Sequence, residues 1–169
     1  MPLSSDGSLI FNPKELPTMT TRQAALHTGN EETKAANKAV VVRFNREVIE
    51  QGSATALREL VAEDFVNRTA PPGSPAGRDA MLATFNQILR PALPDLAVEI
   101  HDQIAEGDRV CTRKTIHGTH LGELFGIAPT QQRVAIEVID IVRVKDGRYA
   151  EHWGINTLAA VVEQLRRGA

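Results

Sequence analysis

Asp140 sits between Ile139 and Ile141 in a run of apolar alternation from Arg133 to Lys145, with no polar tract around it to explain a charge. A carboxylate in such a place needs a cationic partner or a raised pKa, because full burial disfavours ionisation by an amount on the order of several kcal/mol. Either it is a general acid or base tuned by burial, or it closes an ion pair with an arginine such as Arg113. Downstream, His152 offers a ring of the one type that exchanges protons near neutral pH; its other reading is a structural histidine hydrogen-bonded beside Trp153. On neighbouring strands, Asp140 could fix the tautomer of His152 as the carboxylate of a hydrolase triad does. No serine or cysteine is clearly placed as a nucleophile, so proton transfer is the chemistry on offer.

Three more histidines, His101, His117 and His120, raise the question of metal. Zinc needs three or four ligands converging at about 2 Å, and the spacing of His117 and His120 at a strand end turns their rings to opposite faces. The glycines of 5–8 and 73–77 lack the spacing of a phosphate loop. No metal and no cofactor is expected.

The elements that must position these residues are legible from turns and periodicity. Asp146-Gly147 is a two-residue hairpin signal, which folds the strand from Arg133 to Lys145 back on a partner from Arg148 to Ile155. Alternation puts Val134, Ile136, Val138, Asp140 and Val142 on one face and Ala135, Glu137, Ile139, Ile141 and Arg143 on the other. In the partner strand, Ala150, His152, Gly154 and Asn156 oppose Tyr149, Glu151, Trp153 and Ile155. Period two from Asp95 to Ile104 predicts a further strand, turned by Glu106-Gly107-Asp108 into another from Arg109 to Thr119.

Helices are expected from Asn30, as N-cap, to about Gln51, with Val41, Phe44 and Val48 on one face; from Ala54 to Val61, capped by Ser53; from Arg78 to Leu89, stopped by Pro91; and from Thr157 to Arg167. Phe65 to Arg68 reads as a short extended piece, and the prolines and glycines of 70–77 as a loop. Helices followed by a meander of long strands make an α+β fold, with helices on one face of a mostly antiparallel sheet.

At 169 residues the chain fits one domain. We place it at 30–169, behind an N-terminal extension over 1–29 that has three prolines and no sustained hydrophobic period, and so is either flexible or strapped across a partner subunit. A net charge of -2 gives no broad field for nucleic acid or anionic lipid. The single Cys111 rules out an internal disulfide and suits a reducing compartment. No apolar run is long enough to span a bilayer, and the first residues lack the basic start and apolar core of a signal peptide, so a cytoplasmic protein without membrane or nucleic-acid partners is expected.

Two stretches carry a family resemblance: Gly118-Thr-His-Leu-Gly-Glu-Leu-Phe-Gly-Ile-Ala-Pro-Thr130, and the hairpin from Asp140 through Asp146-Gly-Arg148 to Glu151-His-Trp153. Together they resemble the signature of SnoaL-like polyketide cyclases, small enzymes of the NTF2-like superfamily. The resemblance implies a cone in which a curved, mostly antiparallel sheet and N-terminal helices enclose a pocket. It also implies which face is inward: the cyclases carry an acid/base carboxylate where this chain has Gly154, and a histidine where it has Asp140, so Asp140, His152 and Asn156 are expected to line the pocket. Asn67, in Asp64-Phe-Val-Asn67, resembles a polar pocket position, though it could equally cap a turn.

Asp140 and His152 are thus the catalytic candidates, with Asn67, Arg113, His117, Val138, Gly154 and Asn156 as substrate-binding candidates; of Arg113 and Lys114, only one can reach the pocket. The implied activity is acid/base chemistry on a small apolar organic molecule, nominally the intramolecular aldol cyclisation of a polyketide-type ester. The alternatives are an epoxide hydrolase-like or ketosteroid isomerase-like enzyme and a small-molecule-binding protein without catalysis. Ile139 and Ile141, on the outer face, would each forgo about 1.5 to 3 kcal/mol in water, which points to a homodimer unless the N-terminal extension covers them.

Overall fold

The computed structural model describes residues 21–168, with side chains from Asn30 onward. The chain divides between Glu31 and Glu32, and the second unit contains the whole sheet and the helices that pack on it. Of the extension expected over 1–29, residues 1–20 lie outside the described residues, while 21–29 belong to helix α1, Thr21–Arg43. Asn30 is therefore inside a helix and not its cap.

α1 runs on into a π-helical segment, Phe44–Glu50, and Gly52 ends the run with φ +69°. Val41, Phe44, Asn45, Val48 and Ile49, at helical spacing, are the buried stripe. α2, Ala54–Leu60, is capped as expected by Ser53, whose Oγ accepts from Ala56 N–H at 3.1 Å. It stops one residue early because Val61 opens strand β1, Val61–Asn67, which buries Val61 and Phe65.

α3, Arg78–Ala83, leads through a second π segment, Thr84–Leu89, into the short α4, Arg90–Ala92. Pro91 does not stop this helix. The wider turn before it, in which Arg90 N–H bonds Phe85 O five residues back, relieves the carbonyl clash that proline creates in an α-helix.

Four more strands complete the sheet, β2 Ala97–Glu106, β3 Arg109–Thr119, β4 Arg133–Lys145 and β5 Arg148–Asn156, and helix α5, Leu158–Arg167, comes after them. The strand order is β1-β5-β4-β3-β2, antiparallel except for the β1–β5 pair. Asp146 and Gly147 both take positive φ, 52° and 70°, as the tight β4–β5 hairpin requires.

One irregularity matters for the site. Arg143 pairs with Glu151 but Val144 pairs with Tyr149, so Ala150 is an extra residue in β5. The bulge breaks strict alternation, and Tyr149, expected opposite His152, turns to the same inner face. The inner face of β3 and β4 packs on α1 and the helices around Met81 and Leu89 to make the core. No helix among the described residues is long and apolar enough to cross a membrane.

Candidate active site

A cavity of about 180 Å³ lies between this inner face and the helices, walled by apolar side chains including Phe44, Phe85, Ile136 and Leu158. It opens into a wider mouth of about 670 Å³, bordered by the 69–77 loop and sharing Asn67, Val138, His152 and Asn156 with the inner chamber. Asp140, Asn67, Val138, His152 and Asn156 thus line the space expected of them, and Gly154 lies at the mouth.

Arg113 and His117 do not. Register puts Arg113 opposite Ile139 and His117 opposite Ala135, on the outer face. There Arg113 pairs with Asp102 at 2.7 Å, and His117 Nε2 meets Glu99 at 3.2 Å. The inward cation is Lys114. Period two along β3 sends Val110, Thr112, Lys114 and Ile116 inward together, so the choice left open between Arg113 and Lys114 falls to the lysine.

Lys114 Nζ stands 2.8 Å from Asp140 Oδ2, and the two side chains are 4% and 5% exposed. It also donates to Asn45 Oδ1 at 2.8 Å, while Asn45 Nδ2 donates to Val41 O at 2.8 Å. Two of the three ammonium N–H groups are thereby taken, leaving the third for the cavity that Lys114 lines. Asn45 is absent from the candidates read from sequence, although a polar residue at helical spacing between Val41 and Val48 is the signal that marks it.

Of the two readings open for Asp140, the structure has the cationic partner, supplied by Lys114 and not by Arg113. Burial pushes the carboxyl up, but the charge of Lys114 together with His152 outweighs it, and Asp140 is held below the ordinary carboxylate value. It is ionised at neutral pH. Its Oδ1 receives no hydrogen bond from any described residue.

His152 is oriented from its other side. Thr69 backbone N–H, which can only donate, reaches Asn67 Oδ1 at 3.1 Å and so fixes which end of the amide is the oxygen. His152 Nδ1 lies 3.0 Å from that same oxygen and must carry the proton. Nε2 is left as the exchanging atom, 3.8 Å from Asp140 Oδ2, beyond hydrogen-bond range but close enough for the carboxylate to stabilise a cationic ring.

Tyr149, hidden from the sequence by the bulge, stacks on Phe44 with ring centroids 4.4 Å apart. Burial, with the Asp140 charge behind it, raises its phenol well above the ordinary value, so it stays a neutral donor. Glu151, next to His152, is bracketed by Arg68 and Arg143, which anchors β5 to the end of β1 and to β4. His120 is buried in the loop after β3, where Thr130 N–H donates to its Nδ1 at 3.3 Å. Among the described residues, no group of three or more histidines, cysteines and acids is arranged to hold a metal.

The family model for SnoaL-like polyketide cyclases matches residues 39–165. Among solved structures, IdmH from Streptomyces antibioticus, a proposed polyketide cyclase, is 30% identical with a TM-score of 0.67, over 77% of this chain and 98% of that one. AclR from Streptomyces galilaeus, a proposed hydroxylase, is 26% identical with a TM-score of 0.69, over 79% and 83%. TsrD from Streptomyces laurentii shares the fold at 24% identity and a TM-score of 0.68, over 78% and 96%. Among curated proteins, none is matched by this chain. A curved five-stranded sheet backed by helices, with a cavity on its concave side, is the NTF2-like fold, and with most of its length matched the chain belongs to the SnoaL-like polyketide cyclase family.

Proposed function

We propose that the protein is an acid/base enzyme acting on a small, largely apolar carbonyl compound, with His152 Nε2 as the atom that takes and returns the proton. The observation that carries this is the hydrogen bond from His152 Nδ1 to an Asn67 oxygen fixed by Thr69, which leaves the Nε2 lone pair toward the cavity. Asp140 is not the base in this reading. Its closed pair with Lys114 keeps it anionic, and its part is to stabilise the imidazolium that forms beside it.

In the first step Nε2 removes a proton from the carbon next to the ligand carbonyl, and the electron pair moves into the enolate. Tyr149 O–H and the remaining Lys114 N–H are donors for the enolate oxygen. Attack of the enolate carbon on a second carbonyl of the same molecule closes the ring, and the new alkoxide takes the proton back from Nε2. This is the nominal aldol cyclisation of a polyketide-type ester. Epoxide opening or a ketosteroid-type isomerisation would use the same proton-transfer atom, and the different activities proposed for IdmH and AclR are consistent with a family whose pocket serves more than one reaction.

Deuterium wash-in tests it. A panel of aryl and cyclic β-ketoesters in D2O should gain label at the activated carbon faster with the protein, and His152→Gln should cut that gain by about 100- to 10,000-fold. Equal rates for both proteins would overturn the assignment. Binding without wash-in would favour the alternative of a binding protein, which the closed Lys114–Asp140 pair also supports.

We place the enzyme in the cytoplasm as a homodimer, with no nucleic-acid or membrane partner and no cofactor. Support for the dimer comes from the outer sheet face, where Ile104, Ile139, Ile141 and Ile155 stand 71%, 46%, 40% and 71% exposed. A second copy of the chain would cover them.

A further inference from the structure

The last inward residue of β5 has one end of its amide committed and the other free. Asn156 Oδ1 accepts from Leu158 N–H at 3.0 Å, where the strand hands over to α5. A backbone N–H can only donate, so the oxygen end of the amide is fixed and the NH2 group is the end that remains. Nδ2 donates to no described residue. Asn156 is exposed, unlike Lys114 and Asp140, and it borders both the inner chamber and the mouth. Capping α5 takes only the oxygen, a task that serine or aspartate performs as well, so the structural role leaves the NH2 group unused.

The strand sets how far this donor stands from the proton-transfer atom. His152 Nε2 leans to within 3.0 Å of the place a Gly154 Cβ would take. The next side chain on that face, two residues on, is Asn156, about 7 Å away along the strand. Because Gly154 has no side chain, nothing from β5 stands between the ring and the amide. A hydrogen bond of about 2.9 Å covers much of that span, so a carbonyl group bonded to the carbon at Nε2 meets the amide. We infer that Asn156 is a specificity-determining residue, whose Nδ2–H donates to a second carbonyl oxygen of the ligand, attached to the carbon that His152 deprotonates. The inference deepens the proposed site and rests on that carbon lying against Nε2. The enolate of such a compound spreads its charge over both oxygens; Lys114 and Tyr149 meet one, and Asn156 meets the other. An analogue without the second oxygen leaves the amide unmatched, and at an exposed mouth this costs the net worth of one neutral hydrogen bond. The apolar chamber around Phe44 and Phe85 holds the rest of the skeleton and supplies no such selection.

The test compares two probes that differ at one position: methyl 1-oxotetralin-2-carboxylate, and 2-(methoxymethyl)-1-tetralone, in which a methylene replaces the ester carbonyl. Kd is measured by calorimetry at neutral pH. The ester should bind the wild-type protein about 3- to 10-fold more tightly than the ether. Asn156→Asp and Asn156→Ser both keep an oxygen for Leu158 N–H and remove the NH2 group. The melting temperature and the ether Kd should therefore hold in both, while the preference for the ester vanishes, and reverses where a carboxylate oxygen faces the carbonyl. A role confined to capping α5 would move both probes together. Equal binding of the two probes by the wild type, a preference retained in either variant, or parallel weakening of both probes would each overturn the inference. The readout is binding alone. Wash-in that depends on His152 without an ester preference would remove this inference and leave the base assignment standing, whereas an Asn156-dependent preference without wash-in would do the reverse.

Discussion

A Cβ built on Gly154 would lie 2.9 Å from His152 Cε1 and 3.0 Å from Nε2, so the imidazole occupies the space that any side chain at 154 would need. The resemblance puts an acid/base carboxylate at that position in the cyclases. Here the carboxylate is gone, and the ring uses the vacated space to lie beside Asp140. Restoring a side chain should therefore harm the site. In Gly154→Ala the far end of a side chain, and not backbone, must give way, so the melting temperature should barely move. The displaced ring should nevertheless slow deuterium wash-in by about 10- to 1,000-fold. Wild-type rates in a folded Gly154→Ala protein would mean that the ring position has no bearing on proton transfer.

Asn67 should act through His152 alone. Its oxygen accepts from His152 Nδ1 and from both Thr69 groups, which ties the ring to the root of the 69–77 loop. Asn67→Ala removes the acceptor that selects the Nδ1-protonated tautomer. Nitrogen-15 spectra of the wild-type ring should show the proton on Nδ1 in the neutral form, and the variant should show a mixture. Wash-in should fall by about 10- to 100-fold, mainly in kcat, because orientation is lost while the apolar chamber remains. A variant spectrum identical to the wild type would show that something else fixes the tautomer.

How far the site can be read from sequence depends on register. Strict alternation along β4 keeps Val138 and Asp140 on one face, which the family resemblance assigns inward, whereas the Asp146-Gly147 turn alone would send His152 and Asn156 to the other side. Alternation fails at Ala150, where a bulge with no local signature brings His152 and Asn156 to the inner face that Tyr149 shares. Sequence leaves the choice between Arg113 and Lys114 open because no turn of fixed type pins β3 as the Asp-Gly hairpin pins β4, and assigning Arg113 and His117 inward takes the wrong parity. Once Lys114 is inward, the choice at Asp140 between a cationic partner and a raised pKa falls to the partner, and the carboxyl is held low. Asn45 is helical and far off in sequence, so only tertiary packing joins it to the lysine.

The Lys114–Asp140 pair should be a fold requirement as well as a site feature. Removing one partner of a buried pair leaves a bare charge, at a cost of about 3 to 5 kcal/mol. Asp140→Asn should therefore lower the melting temperature strongly, while Lys114→Met/Asp140→Asn, which leaves no charge behind, should recover much of the loss. A double variant no more stable than the single one would mean that the pair is not what holds the strands.

The pH dependence follows from the direction of the shift. A carboxyl whose folded pKa lies below its unfolded value stabilises the fold above the unfolded value, and that contribution is lost as the pH falls through the folded one. For Asp140 the unfolded reference is near 3.8. Wild-type stability should thus hold at neutral pH and fall steeply below about pH 4. Asp95 and Glu151 are also held low and act in the same range, but they are common to both proteins. The stability gap between wild type and Asp140→Asn should accordingly narrow as the pH drops from about 5 to 2. A gap of constant width in denaturant melts across that range would contradict the assigned direction.

The outer face supplies the last expectation. Ile139 on β4 pairs directly with Ile155 on β5, and the groove beside them is bordered by Arg113 and Glu137. Leaving such side chains in water forgoes about 1.5 to 3 kcal/mol each, so a second copy laid on the sheet gains from apolar burial, and the charges at its edge can set the orientation. Light scattering at micromolar concentration should return twice the 18.4 kDa chain mass. Ile155→Lys puts a charge in the middle of the patch without touching the cavity, whose lining on β5 is Tyr149, His152 and Asn156. That variant should shift to the monomer mass and keep the wild-type rate of deuterium wash-in. A wild-type monomer would overturn the homodimer.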